Sequence, residues 1–111
     1  MKLKLELVLF LIGIFALSGC VTANPQQTTN DVINACLKAC DAARAVNASS
    51  LESGPCLLNP IPQYEDWVCD VANVPRSAVD NQPQNQCSAF LKGKAKHFVE
   101  VTPECLYIKT F

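Results

Sequence analysis

The chain is poor in the residues that most enzyme motifs are built from. Its 111 residues hold one histidine, four glycines, one methionine and one tryptophan. No Gly-x-Ser-x-Gly elbow, phosphate-binding loop, dinucleotide fingerprint or His-Glu-x-x-His pair is present, which removes the sequence basis for the common hydrolase, nucleotide and zinc-protease chemistries. Charged residues make up only 17% and the formal net charge is −1, against the clustered basic face that nucleic-acid binding needs. Lys92, Lys94 and Lys96, the one basic cluster, alternate and read as a solvated face around a turn. No apolar run reaches the roughly 18 residues of a permanent membrane-spanning helix. Cys-x-x-Cys is absent too, against zinc knuckles and thioredoxin-like redox sites. Asp and Asn side chains lack EF-hand spacing, so neither a metal nor a cofactor is expected.

What is present begins at the N-terminus. Met1-Lys2-Leu3-Lys4 leads into an apolar run from Leu7 to Leu17, then the small residues Ser18 and Gly19, then Cys20. Charge, a short apolar stretch and small residues in that order form an export signal, not a fold element. Leu17-Ser18-Gly19-Cys20 resembles the lipobox of prokaryotic lipoproteins. The resemblance implies cleavage after Gly19 and a diacylglyceryl group with fatty chains such as palmitate on Cys20. One acyl chain holds a protein only marginally, whereas two or three make a lasting anchor. Val21 in place of Asp implies export to the outer membrane if the cell has one. The alternatives are an ordinary signal peptide in which Cys20 is incidental, or an uncleaved anchor.

Seven cysteines occur, and setting Cys20 aside leaves Cys36, Cys40, Cys56, Cys69, Cys87 and Cys105. An even set in a short exported domain reads as a disulfide framework, with about 15 connectivities open for six cysteines. A domain this small buries too little of its surface to be stable without staples. Cys36 and Cys40 fall on one helix face, where Cβ atoms lie about 5–6 Å apart. A disulfide needs about 3.5–4.5 Å, so these two should not pair with each other.

Along the chain, residues 1–19 read as the signal peptide, and 20–30 as the lipidated cysteine with a flexible polar tether (VTANPQQTT). Residues 31–111 read as the disulfide-rich domain. Asn30 or Asp31 serves as a helix N-cap, and Ile33, Cys36, Leu37, Cys40 and Ala43 recur at helical spacing. Ser53 to Gln63 reads as a proline-constrained surface loop, Trp67 to Val71 as a strand, and Val74 to Gln86 as an irregular connection. Cys87 to Leu91 is a strand or, alternatively, Gln86 to Leu91 is a helical turn; His97 to Val101 and Cys105 to Phe111 complete a meander. The expected class is α+β: one N-terminal helix on a small antiparallel sheet of three to four strands.

Trp67-Val68-Cys69-Asp70-Val71, Pro75-Arg76, Val79-Asp80-Asn81, Asn85-Gln86-Cys87 and His97-Phe98-Val99-Glu100-Val101 together resemble small secreted cysteine-rich archaeal domains of unassigned function. That resemblance implies only a small exported domain.

The residues with chemical potential are few. His97, the sole histidine, could work as an acid or base with Glu100, Asp70 or Arg76, although a lone strand histidine is more often simply hydrogen-bonded. Asp70, Arg76, Asp80, Asn81, Asn85 and Gln86 concentrate polar groups around the irregular segment, as a binding loop or as turn chemistry. Tyr64 and Trp67 form a partner patch or fill the core. Asn47-Ala48-Ser49 matches the N-glycosylation triplet. The functional expectation is a lipid-anchored extracytoplasmic module that binds a protein or small molecule, or supports the envelope. It has two rivals: a small secreted hydrolase using His97, and an inhibitor of a foreign lysozyme or protease presenting the Ser53 to Gln63 loop.

Overall fold

A computed structural model describes residues 24–111. The signal-peptide and Cys20 expectations lie outside the described residues. Helix α1 runs Pro25–Asn47. It starts earlier than the Asn30 or Asp31 cap expected, because Asn24 caps it: its side chain accepts from the Gln26 N–H at 3.0 Å. Pro25 follows at the first helical position, where its fixed φ suits the helix and its missing N–H costs nothing. Residues 25–30, assigned to the tether, are therefore helix. Their polar side chains gave no apolar period because this first stretch faces solvent, where Gln27 donates to the Asp31 carboxylate at 2.9 Å. Further along, Val32, Cys36 and Cys40 form the buried stripe, flanked by Ile33, Leu37 and Ala43.

After a 3₁₀ segment at Ala48–Ser53 come the strands β1 (Cys56–Leu58), β2 (Trp67–Val71), β3 (His97–Val101) and β4 (Tyr107–Thr110), with the one-turn helix α2 (Ser88–Leu91) between β2 and β3. They form one sheet in the order β1-β2-β3-β4. The fold is α+β, one long helix on a four-stranded sheet, but the sheet is mixed where a wholly antiparallel one was expected. β1–β2 and β3–β4 are antiparallel, while β2 and β3 run parallel from Trp67↔His97 to Val71↔Val101. Parallel neighbours need a crossover of a dozen or more residues. Residues 72–96 supply it, folded into 3₁₀ turns at Ala78–Asn81 and Pro83–Asn85 and then α2. Because Cys87 to Leu91 takes the helical alternative, no strand there can pair with β3 as a hairpin, and β3 lies beside β2 instead.

Strand alternation divides the sheet into two faces. Cys69, Val71, Val99 and Val101 point to α1 and pack with Leu51 and Ile61 in the main core. Val68 and Phe98 point the other way, into a smaller cluster with Cys87, Ala95 and Phe90. Three disulfides pin these layers: Cys36–Cys69 joins α1 to β2, Cys40–Cys105 joins α1 to the approach to β4, and Cys56–Cys87 joins β1 to the crossover. Such bonds persist in oxidising surroundings, so this is an extracytoplasmic domain. Among the described residues, no helix is long and apolar enough to cross a membrane.

Ser53 to Gln63, expected as a surface loop, is drawn into the fold. It contributes β1, and Ile61 is fully buried, its N–H donating to the Trp67 carbonyl at 2.8 Å. At its start Gly54 adopts φ +69°, and a Cβ there would collide with the Asp80 carboxylate and sit 3.0 Å from the Val71 carbonyl. Asp80 is 1% exposed and accepts from the Ser77 and Asn73 N–H groups at 2.8 and 3.1 Å. Left-handed strain of roughly 1–2 kcal/mol, with disturbed buried hydrogen bonds at about 1–3 kcal/mol, sets the cost of Gly54→Ala. Its melting temperature should fall by about 10 °C or more. Gly93→Ala, at φ +74° in open space, is the control and should lose clearly less; equal losses would mean the Asp80 contact is unimportant.

Candidate functional site: a carboxylate cleft on the open face of the sheet

The β2–β3 register sets Asp70 directly beside Glu100. Both belong to the strand positions that point away from α1, continuing the row begun by Val68 and Phe98. Arg76, from the crossover, reaches over them: its Nη1 donates to Glu100 Oε2 at 2.8 Å and its Nε to Asn81 Oδ1 at 2.7 Å. Lys109 pairs with Glu100 in the β3–β4 register, and its ammonium stands 5.7 Å from the centre of the Phe98 ring. These groups surround a cleft of about 240 Å³ with Val68 and Phe98 as its floor. One wall is Phe90, edge-on to Phe98 at 5.1 Å, and Cys87 with its bridge to Cys56. Phe111 stacks on Phe98 at 5.3 Å and steadies it.

Electrostatically the two carboxyls differ. Glu100 is 6% exposed and bonded to Arg76. Asp70 is 8% exposed, and its Oδ1 is the one buried side-chain nitrogen or oxygen without a hydrogen-bond partner among the described residues. Burial pushes the Asp70 carboxyl up to about 8, helped by the charges of Glu100 and, less strongly, Asp80; Arg76 and the Val71 N–H offset only part of this. A buried charge without a partner is costly, so the group holds its proton at neutral pH. Asp80, a few residues on, goes the other way. Burial pushes it up, but hydrogen bonds from the backbones and side chains of Ser77 and Asn73 more than offset this and hold it below the ordinary carboxylate value.

Three of the four candidates named from the sequence, Asp70, Arg76 and Glu100, therefore meet in one cleft. His97 does not join them. It occupies the opposite register position, stacked on Trp67 at 4.7 Å, with Nδ1 3.0 Å from the Phe111 carbonyl and Nε2 3.4 Å from Asp66. Its side chain is 43% exposed at the end of the sheet, and it does not line the cleft. Tyr64 and Trp67 are half-buried against the main core, and Tyr64 donates to Asp31 at 2.9 Å. Asn81 holds Arg76, and Asn85 donates to the Val79 carbonyl at 2.9 Å, which is turn chemistry; Gln86 lines the cleft. Lys92, Lys94 and Lys96 are exposed around the turn after α2. Asn47 is exposed at the end of α1, its side-chain oxygen accepting from Ser49 Oγ at 2.8 Å.

Phe90, Phe98 and Lys109 were missed as site residues. Phe98 and Lys109 could have been found from strand alternation, since each shares a face with Glu100; Phe90 depends on the α2 turn. Among the described residues, no group of three or more His, Cys, Asp or Glu side chains is placed to hold a metal ion. Compared with protein-family models, curated proteins and solved structures, the chain matches none.

Proposed function

We propose that this chain is a small extracytoplasmic binding module, tethered to the envelope through lipid on Cys20, that receives a small-molecule ligand in the cleft over Asp70 and Glu100. The observation that carries this reading is the partnerless, nearly buried Asp70 carboxyl in a concave site. Native proteins leave few buried polar groups unsatisfied. An apolar cleft with a few convergent polar groups and a displaced pKa is the usual form of a small-ligand site. The rival hydrolase drew on His97, and a general acid or base must lie within hydrogen-bond reach of its substrate; His97 does not line the cleft that holds Asp70, Arg76 and Glu100. An inhibitor would present a projecting segment at Ser53 to Gln63; Cys56–Leu58 of that segment forms β1 and Ile61 is buried, which leaves Asn59, Pro60, Pro62 and Gln63 as its exposed part.

Two measurements test the proposal. A fragment mixture titrated into ¹⁵N-labelled protein should shift the amides of Val68, Asp70, Phe98 and Glu100 first. Shifts confined to α1, or none, would remove the binding reading. For the anchor, Cys20→Ser should move the protein from the membrane to the soluble fraction, and continued membrane retention would refute it.

A further inference from the structure

The charges around the cleft are unequally committed. Glu100 is bonded to Arg76, so its charge is neutralised locally. Arg76 uses Nε and Nη1, which leaves Nη2 without a protein partner among the described residues. Lys109 makes no ion pair or hydrogen bond among the described residues and stands over the Phe98 ring. Asp70, held neutral, offers an O–H and brings no charge. The titratable and charged groups around Asp70 are Glu100 on β3, Arg76 and Asp80 on the crossover, and Lys109 on β4. Asp80 is committed to Ser77 and Asn73. Among the groups that line the cleft, Arg76 and Lys109 against Glu100 leave one positive charge, the ionised Asp80 lying outside the lining, together with a set of hydrogen-bond donors and an apolar floor. Donors and positive charge select an anion, and Phe90 and Phe98 select an apolar or aromatic body.

Resting on the binding reading above, we propose that the cleft takes a small organic carboxylate with an apolar or single-ring body. Its charge lies between Lys109 and the free edge of Arg76, and the Asp70 O–H donates to one of its oxygens. Planar guanidinium and carboxylate groups match in geometry. At about 240 Å³ the site falls below the roughly 300–1,000 Å³ of drug-sized pockets, which suits a small single-ring ligand.

Binding then carries a sign with pH. An anion that needs the Asp70 proton binds well below about 8 and loses affinity above it, as that proton leaves.

The test uses benzoate and benzylammonium as probes of one shape and opposite charge, read by ¹⁵N amide shifts. Benzoate should shift the Asp70, Phe98 and Glu100 amides at pH 6.5, and its affinity should fall about tenfold by pH 9. Lys109 is an exposed residue on an edge strand, so Lys109→Gln should fold normally and weaken benzoate by about fivefold. Asp70→Asn should abolish the pH dependence. Benzylammonium shifting these amides in preference to benzoate would overturn the anion assignment while leaving the cleft a binding site. If neither probe nor any fragment moves them, both the assignment and the binding reading fail. Unchanged benzoate affinity in Lys109→Gln, or undiminished pH dependence in Asp70→Asn, also overturns it.

Discussion

In strong reductant the domain should unfold cooperatively, with loss of near-ultraviolet circular dichroism and of amide dispersion. The three bridges span sequence separations of 33, 65 and 31 residues. Loop-closure entropy for loops of those lengths gives each about 4 kcal/mol of stabilisation by restricting the unfolded chain. The loops overlap, so the combined effect is below a simple total, yet it is comparable to the whole stability of a typical domain, about 5–15 kcal/mol. The apolar interior cannot compensate, since its fully buried side chains are mostly Val and Cys with one Leu and one Ile. Removing Cys36–Cys69 alone by paired Cys→Ala substitution should lower stability by about 3–4 kcal/mol, measured by denaturant melts. Cys36, Cys40 and Cys69 are fully buried, whereas Cys56 and Cys105 are partly accessible, so alkylation during mild reduction should label Cys56 and Cys105 first. A domain that keeps its cooperative transition with all six thiols reduced would show that side-chain packing suffices without the bridges.

Asp70→Asn should stabilise the protein, and increasingly so as pH rises from about 4 to about 8. The Asp70 carboxyl is raised in the folded state and ordinary in the unfolded one. Between those two values the folded form keeps a proton that the unfolded form has released, so wild-type stability declines with rising pH. The slope is at most about 1.4 kcal/mol per pH unit, and the group contributes no such loss below the unfolded value. Asparagine has nothing to ionise and keeps the shape. The two proteins should therefore melt alike at pH 4 and differ by up to about 5 kcal/mol at pH 8 in denaturant titrations. Asp80 produces the opposite trend: its lowered carboxyl contributes stability above the unfolded value that is lost as pH falls through the folded one. A difference between wild type and Asp70→Asn that does not vary with pH would mean that Asp70 is already ionised or solvated. A stabilising substitution at a buried, partnerless acid is what a binding site predicts, because such sites carry local cost in exchange for a ligand.

Much of this architecture was legible in residue order. The helical period of Ile33, Cys36, Leu37, Cys40 and Ala43, the alternation in β2 and β3 and the even cysteine set each follow from local periodicity or count, and each is seen, although Val32 and not Ile33 is the fully buried residue at the start of the stripe. The exclusion of a Cys36–Cys40 bond followed from helix geometry, and the two bond to β2 and to Cys105. The helix start was misplaced because an exposed first turn has no apolar period to read, although Asn24-Pro25 was itself a start signal. The crossover was missed because Cys87 to Leu91 is too short for strand and helical turn to be told apart by pattern.

Local order thus specified the helix, the strands β2, β3 and β4 and which residues of β2 and β3 share a face, because periods of 3.6 and 2 follow from backbone geometry alone; β1, inside a segment read as a loop, was not legible. Strand direction, bridge partners and the separation of His97 from Asp70, Arg76 and Glu100 required the folded chain. The parallel placing of β3 beside β2 aligned two carboxyls across a sheet, and residues far apart in sequence closed over them. Which charge keeps its proton is a property of that enclosure, since burial and neighbours, and no feature of the Asp70 side chain itself, set its ionisation.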